Sequence, residues 1–165
     1  MNLKFLNSNL LTVLVTPTVL SILWIFFNYD FMSSRDFFWD DMHFFKDYGS
    51  SNLFSFFYSN WDPDLVETPA YRPLSTWLYH FTYLLFEENV LFYRMFSVFL
   101  LLIISVVFNQ ILIKLDFRKT TLILTNILFF SSYVYNYVAN WITLIPVLFS
   151  SIIILLILNE LINYY

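Results

Sequence analysis

Long uncharged apolar runs alternate with a single acidic stretch along this chain. Leu10–Phe27, "LLTVLVTPTVLSILWIFF", contains no charged residue. A membrane-crossing helix needs roughly 20 apolar residues, so this run is close to a full crossing. Pro17 lies inside it, and spans tolerate such kinks. Met95–Leu115, "MFSVFLLLIISVVFNQILIKL", is a second span. A third is expected over Leu122–Val138 and a fourth over Trp141–Leu158, "WITLIPVLFSSIIILLIL". Asn136 and Asn140 interrupt the pattern between these two, and Pro146 follows inside the fourth. Both are short, so two short or tilted spans are expected in preference to a re-entrant hairpin. A cleaved leader is the rival for the first run, since Lys4 supplies a basic start. The run is too long for that, and Phe26, Phe27 and Tyr29 stand where small residues would mark cleavage.

The segment between the first two spans, residues 28–91, is too long for a plain loop. Asp36–Tyr48 places Asp36, Asp40, His43 and Asp47 on one helical face, with Phe37, Phe44, Phe45 and Tyr48 opposite. That pattern predicts an amphipathic helix at a membrane surface. The same wheel sets Asp41 among the aromatics. Leu74–Phe86, "LSTWLYHFTYLLF", predicts a second interfacial helix, with Pro73 suited to its first turn. Pro63 and Pro69 break the chain between them.

Composition strengthens this reading. The 165 residues are 59% hydrophobic and only 12% charged, against about a quarter charged in ordinary soluble domains. The expected fold is an all-α polytopic membrane protein of four transmembrane helices with interfacial helices in the first outer loop. It forms one membrane domain over residues 1–165. The net charge of −4 argues against nucleic acid. With no cysteine and a single glycine, thiolate metal sites and glycine-rich phosphate loops are excluded.

Charge sets the expected orientation. Lys114, Arg118 and Lys119 crowd one short loop, and Lys4 precedes the first span. Residues 28–91 carry only Arg35, Lys46 and Arg72 against ten carboxylates. The positive-inside rule therefore predicts cytoplasmic termini and an extracytoplasmic or lumenal acidic segment.

Three chemistries fit the acidic stripe. It is a solvated face, or Asp40, His43 and Asp47 hold a divalent metal, the one cofactor these residues admit. Alternatively, one carboxylate is a general base, its basicity raised by lost hydration beside an aromatic wall. Convergence from a single helix is poor, which disfavours the metal. Arg94, at the outer end of the second span, can reach a lipid phosphate. His80 reads as an anchoring or hydrogen-bonded histidine. Asn109 and Gln110 are expected to bond a neighbouring helix.

The order of motifs adds a family. "WDDMHFFKD" follows a span, then "YRPLSTWLYHFTYLLF", then "NWITLIP" opens the final span. This order resembles the N-terminal part of C-type (GT-C) glycosyltransferases, in particular the protein O-mannosyltransferase-like branch. The resemblance implies transfer of a sugar, mannose in that branch, from a polyprenyl-phosphate donor to an acceptor outside the cytoplasm. It makes Asp40 the general base, with Asp41 beside it, and gives Arg72 and Arg94 the donor phosphate. Two features depart from the family pattern. Tyr135 and Tyr137 stand where relatives carry histidine and glutamate. The family's module also has seven or more spans, so a fragment, a split subunit needing a second chain for the remaining spans, or a relict is expected. Two rival functions stand beside this one. The first is a non-catalytic accessory subunit of a larger, organellar respiratory-type membrane complex. The second is a transporter or channel fragment, which ranks last because no charge lies deep within a span.

Overall fold

The computed structural model describes residues 3–34, Asp41 and residues 73–164, with side chains from Thr12 onward. Among the described residues the fold is all helical. Helix α1 spans Leu3–Ser33, α2 Pro73–Phe86, α3 Val90–Lys114, α4 Lys119–Ser131, α5 Tyr133–Asn140 and α6 Ile145–Tyr164. A single 3-10 turn, Ile142–Leu144, leads into α6. The expected amphipathic helix over Asp36–Tyr48 lies outside the described residues, apart from Asp41.

Three helical stretches are long and apolar enough to cross a membrane: Thr12–Ser33, Val90–Lys114 and Ile142–Tyr164. Counting α4 and α5 as one bent span brings the number to four. The first stretch runs past the expected end at residue 27. Asn28 does not break it, because its Nδ2 donates back to the Trp24 carbonyl at 2.8 Å. The second begins five residues before the expected start, taking Tyr93 and Arg94 into the helix. The third expected span is not continuous: α4 and α5 meet at a 58° bend. Ser132 makes the break. It is extended (φ −73°, ψ 146°), and its Oγ accepts from the Tyr135 N–H. This side chain caps the new helix in the manner typical of serine. The fourth stretch continues to Tyr164, beyond the expected end at residue 158.

α3 is the central helix. Half of its apolar window is buried, against 22% for those of the first and last spans. α1 runs antiparallel to it: Val13 lies beside Asn109 at one end, and Phe31 and Met32 lie beside Arg94 at the other. α4 is antiparallel to α3 as well, with Asn126 set against Ser105 and Asn109. α6 is parallel to α3. Phe96 meets Phe149 near one end, and Lys114 Nζ donates to the Asn159 carbonyl near the other. The resulting bundle has an Arg94 end and a Lys114 end.

Polarity is inverted relative to a water-soluble bundle. Ser97, Ser105, Asn109 and Asn126 are buried, while Phe26, Phe27, Leu124, Leu128, Ile153 and Ile157 are exposed. Such a continuous apolar exterior suits hydrocarbon rather than water. Aromatic contacts tie the interior together, edge-to-face from Trp24 and Phe129 and tilted from Phe130. Trp24, Phe129 and Phe130 all pack on the fully buried Tyr135 ring.

Pro17 explains one interior contact. It lacks an N–H, so the Val13 carbonyl one turn earlier has no intrahelical partner. Asn109 Nδ2 donates to that carbonyl at 3.4 Å. Asn126 Nδ2 in turn donates to Asn109 Oδ1 at 2.9 Å, and Ser105 Oγ donates to Asn126 Oδ1 at 2.9 Å. α1, α3 and α4 are thus bonded through reciprocal amides. Removing one amide strands the other. Asn109→Leu and Asn126→Leu are each expected to cost about 1–2 kcal/mol. The double variant should cost clearly less than the sum. Unfolding in detergent micelles measures all three, and strict additivity would disprove the coupling.

Candidate functional site

The charged groups that the structure places inside the bundle gather at the Arg94 end. Two helix termini create the demand for them. An α-helix leaves its first N–H groups and last C=O groups without intrahelical partners. Where such an end is not open to water, a side chain has to supply what is missing.

α1 ends at Ser33, and its last carbonyls are met by Arg94. This side chain is 1% exposed. Its Nη1 donates to the carbonyls of Phe31 (2.8 Å), Met32 (3.0 Å) and Ser34 (3.0 Å). The guanidinium also lies 5.3 Å from the centre of the Phe31 ring, an attractive cation–π arrangement. A cation at a helix C-terminus opposes the partial negative charge of the helix dipole there. Arg94 thus lies buried against the end of α1.

The start of α6 is met by Asp41. The chain breaks at Trp141, which is extended, and then turns through Ile142–Leu144. Asp41 Oδ1 accepts from the Thr143 backbone N–H at 2.8 Å and from Thr143 Oγ1 at 2.6 Å. Asp41 is completely buried. A carboxylate at a helix N-terminus is stabilised by the N–H groups and by the dipole. Here the cap comes from 102 residues away in sequence, so it also ties Asp41 to the start of α6.

Thr143 is shared by a third element. Tyr79 Oη of α2 donates to the Thr143 carbonyl at 2.9 Å. One residue thereby joins α2, Asp41 and the start of α6. Pro73 opens α2 as expected, and His80 is 6% exposed on the packed side of that helix. Tyr93 Oη donates to the Glu87 carbonyl at 2.8 Å and holds the turn between α2 and α3. Glu87 has φ 49° in that turn.

Of the predicted site residues, Asp41 and Arg94 are both buried at this end. Asp40 and Arg72 lie outside the described residues, and so do His43 and Asp47. Among the described residues no group of three or more His, Cys, Asp or Glu side chains could hold a metal ion. Tyr135 and Tyr137 differ in environment. Tyr135 is fully buried, whereas Tyr137 lies partly exposed beside Trp141, ring centres 5.0 Å apart. Sequence reasoning missed Thr143 and Tyr79. The signal for Thr143 was present, a threonine beside a Trp-Ile pair just before a proline-opened apolar run. Tyr79 carries no such mark. No protein-family model, no curated protein and no solved structure matches the chain.

Proposed function

We propose that this chain is a membrane-inserted part of a glycosyltransferase that moves a sugar from a polyprenyl-phosphate donor to an acceptor at the extracytoplasmic surface. The observation that carries the reading is the burial of a carboxylate and a guanidinium, Asp41 and Arg94, at one end of an apolar bundle. Ionisable groups are costly in such surroundings and are kept there for a task. The other end carries Lys114, Arg118 and Lys119. The positive-inside rule makes that end cytoplasmic and the Arg94 end extracytoplasmic.

Roles divide within the acidic pair. Asp41 Oδ1 already accepts two hydrogen bonds. A general base needs a lone pair directed at the acceptor's proton. In this reading Asp40 is the base, as the family resemblance implies, and Asp41, with its Oδ1 bonded to Thr143, anchors the pair. Arg94 is engaged as the cap of α1, and the donor phosphate falls to Arg72, whose planar fork matches two phosphate oxygens. The test is sugar transfer in membranes that hold the chain together with the products of neighbouring membrane reading frames. A radiolabelled polyprenyl-phosphate sugar serves as donor. Asp40→Asn should lower transfer by about 10²-fold or more. Unchanged transfer in that variant overturns the assignment. Absence of transfer from the wild type under every donor tried favours a non-catalytic subunit of a larger membrane complex.

A further inference from the structure

A second feature at the Arg94 end is not used by the acidic pair. A cleft of about 110 Å³ opens between the end of α1 and helix α5, lined by Phe31, Tyr133, Asn136, Tyr137 and Asn140. We infer that this cleft binds the neutral ring of a saccharide, with Tyr133 and Tyr137 as the stacking surface and Asn136 and Asn140 as the hydroxyl-reading groups. The inference rests on the glycosyltransferase reading above and names which part of the chain would hold a sugar.

The ring stack comes first. Tyr133 and Tyr137 are one helical turn apart, and their rings stack with centroids 6.1 Å apart and planes 28° from parallel. Tyr133 is 78% exposed, so the stack presents an open aromatic surface. Trp141 abuts Tyr137 edge-on at 5.0 Å and braces it from outside the cleft lining. An aromatic face is electron-rich. The C–H groups on one face of a pyranose are electron-poor and flat, so the two surfaces match.

The amides come second. Asn140 is 5% exposed. Its Nδ2 donates to the Asn136 carbonyl at 2.8 Å and lies 3.4 Å from Asn136 Oδ1. Its Oδ1 is buried and accepts no hydrogen bond. A buried acceptor left in this state costs about 1–3 kcal/mol. A hydroxyl in the cleft would reach it only after the Asn140 amide turns toward the opening. Asn136 sits one turn away and is exposed, and its amide can both donate and accept. A sugar hydroxyl also does both.

Charge comes third. None of the residues lining the cleft is ionisable at neutral pH. An anionic headgroup would find no cation among them, only amide and phenol donors. The volume admits one edge of a pyranose, not a whole disaccharide, since each water takes about 30 Å³ of liquid.

The test uses the full chain in phosphatidylcholine nanodiscs and saturation-transfer NMR. The probes are methyl mannoside, methyl glucoside and glycerol. At least one methyl pyranoside should receive saturation on its ring protons, with glycerol near the level of empty nanodiscs. Tyr133→Ala and Asn136→Ala, both at exposed positions and checked for an unchanged unfolding midpoint, should each weaken binding about three- to tenfold. Equal signals from glycerol and the pyranosides overturn the inference, as does a pyranoside signal that both variants leave intact. The two readings fail separately. Pyranoside binding without any sugar transfer sinks the enzyme and keeps the site. Transfer without pyranoside binding sinks the site and keeps the enzyme.

Discussion

Arg94→Leu is expected to destabilise the bundle by about 3 kcal/mol, the largest single-residue effect in the structure. The substitution removes the donors that serve the Phe31, Met32 and Ser34 carbonyls. Leucine offers similar bulk and no hydrogen bond, so these carbonyls would be stranded next to an apolar side chain. Hydrogen bonds to charged groups contribute about 1.5–3 kcal/mol, and an unsatisfied buried acceptor adds its own penalty. Arg94→Lys should recover only part of the loss. An ammonium keeps the charge, but on a shorter side chain it is a compact, strongly hydrated group that costs more to bury than the guanidinium. Unfolding in micelles gives the magnitude. Hydrogen exchange gives the location: protection should fall first in the last turn of α1, while the far end at Asn109 and Asn126 stays protected. A pure ligand-binding role for Arg94 makes the opposite forecast. The leucine variant would then keep its stability and lose only donor affinity.

The sequence disclosed the helices better than their ends. Uninterrupted apolar runs mark spans because every backbone group in hydrocarbon has to be satisfied within its own helix. That rule located α3 and α6 to within a few residues. It could not locate the ends. α1 continues through Asn28 and Asp30 to Ser33, where Arg94 donates to its terminal Phe31 and Met32 carbonyls from 63 and 62 residues away in sequence. The bend at Ser132 was equally hidden. Serine inside an apolar run is unremarkable until its Oγ is seen to accept the Tyr135 N–H.

The site shows the same division. The helical wheel set Asp41 among aromatics, away from the stripe of Asp36, Asp40, His43 and Asp47. The wheel gave no reason for a carboxylate on an apolar face. The start of α6 supplies one: Thr143 presents an N–H and a hydroxyl that need an acceptor. A partner 102 residues away has no periodicity to betray it. Asn109 was legible for a local reason. Amides in a span are expected to bond across helices, and the Pro17 kink in α1 supplies a carbonyl in need of one.

Asp40 and Asp41 should separate cleanly under substitution, and the asparagine and alanine variants together decide the matter. Asparagine keeps an oxygen able to accept from Thr143 and is as good a helix cap as aspartate. Asp41→Asn should therefore stay within about 1 kcal/mol of wild type and retain most transfer activity. Asp41→Ala removes the acceptor altogether and leaves the Thr143 N–H and hydroxyl buried. A cost of about 2–3 kcal/mol is expected, together with lost transfer because the neighbouring base is no longer held in place. Thr143→Val should reproduce part of that loss. The Asp41→Ala, Thr143→Val double-mutant cycle should give a coupling of about 1 kcal/mol or more. Asp40 follows the other pattern. Asn at position 40 cannot take a proton, so transfer should collapse while the unfolding midpoint stays put. Alanine there should do no further harm to stability. If Asp41→Asn abolishes transfer and Asp40→Asn does not, the roles are reversed, and the bond from Thr143 orients a catalytic carboxylate. If neither asparagine variant changes transfer, the pair is an anchor alone, and the buried charge serves the packing of α6.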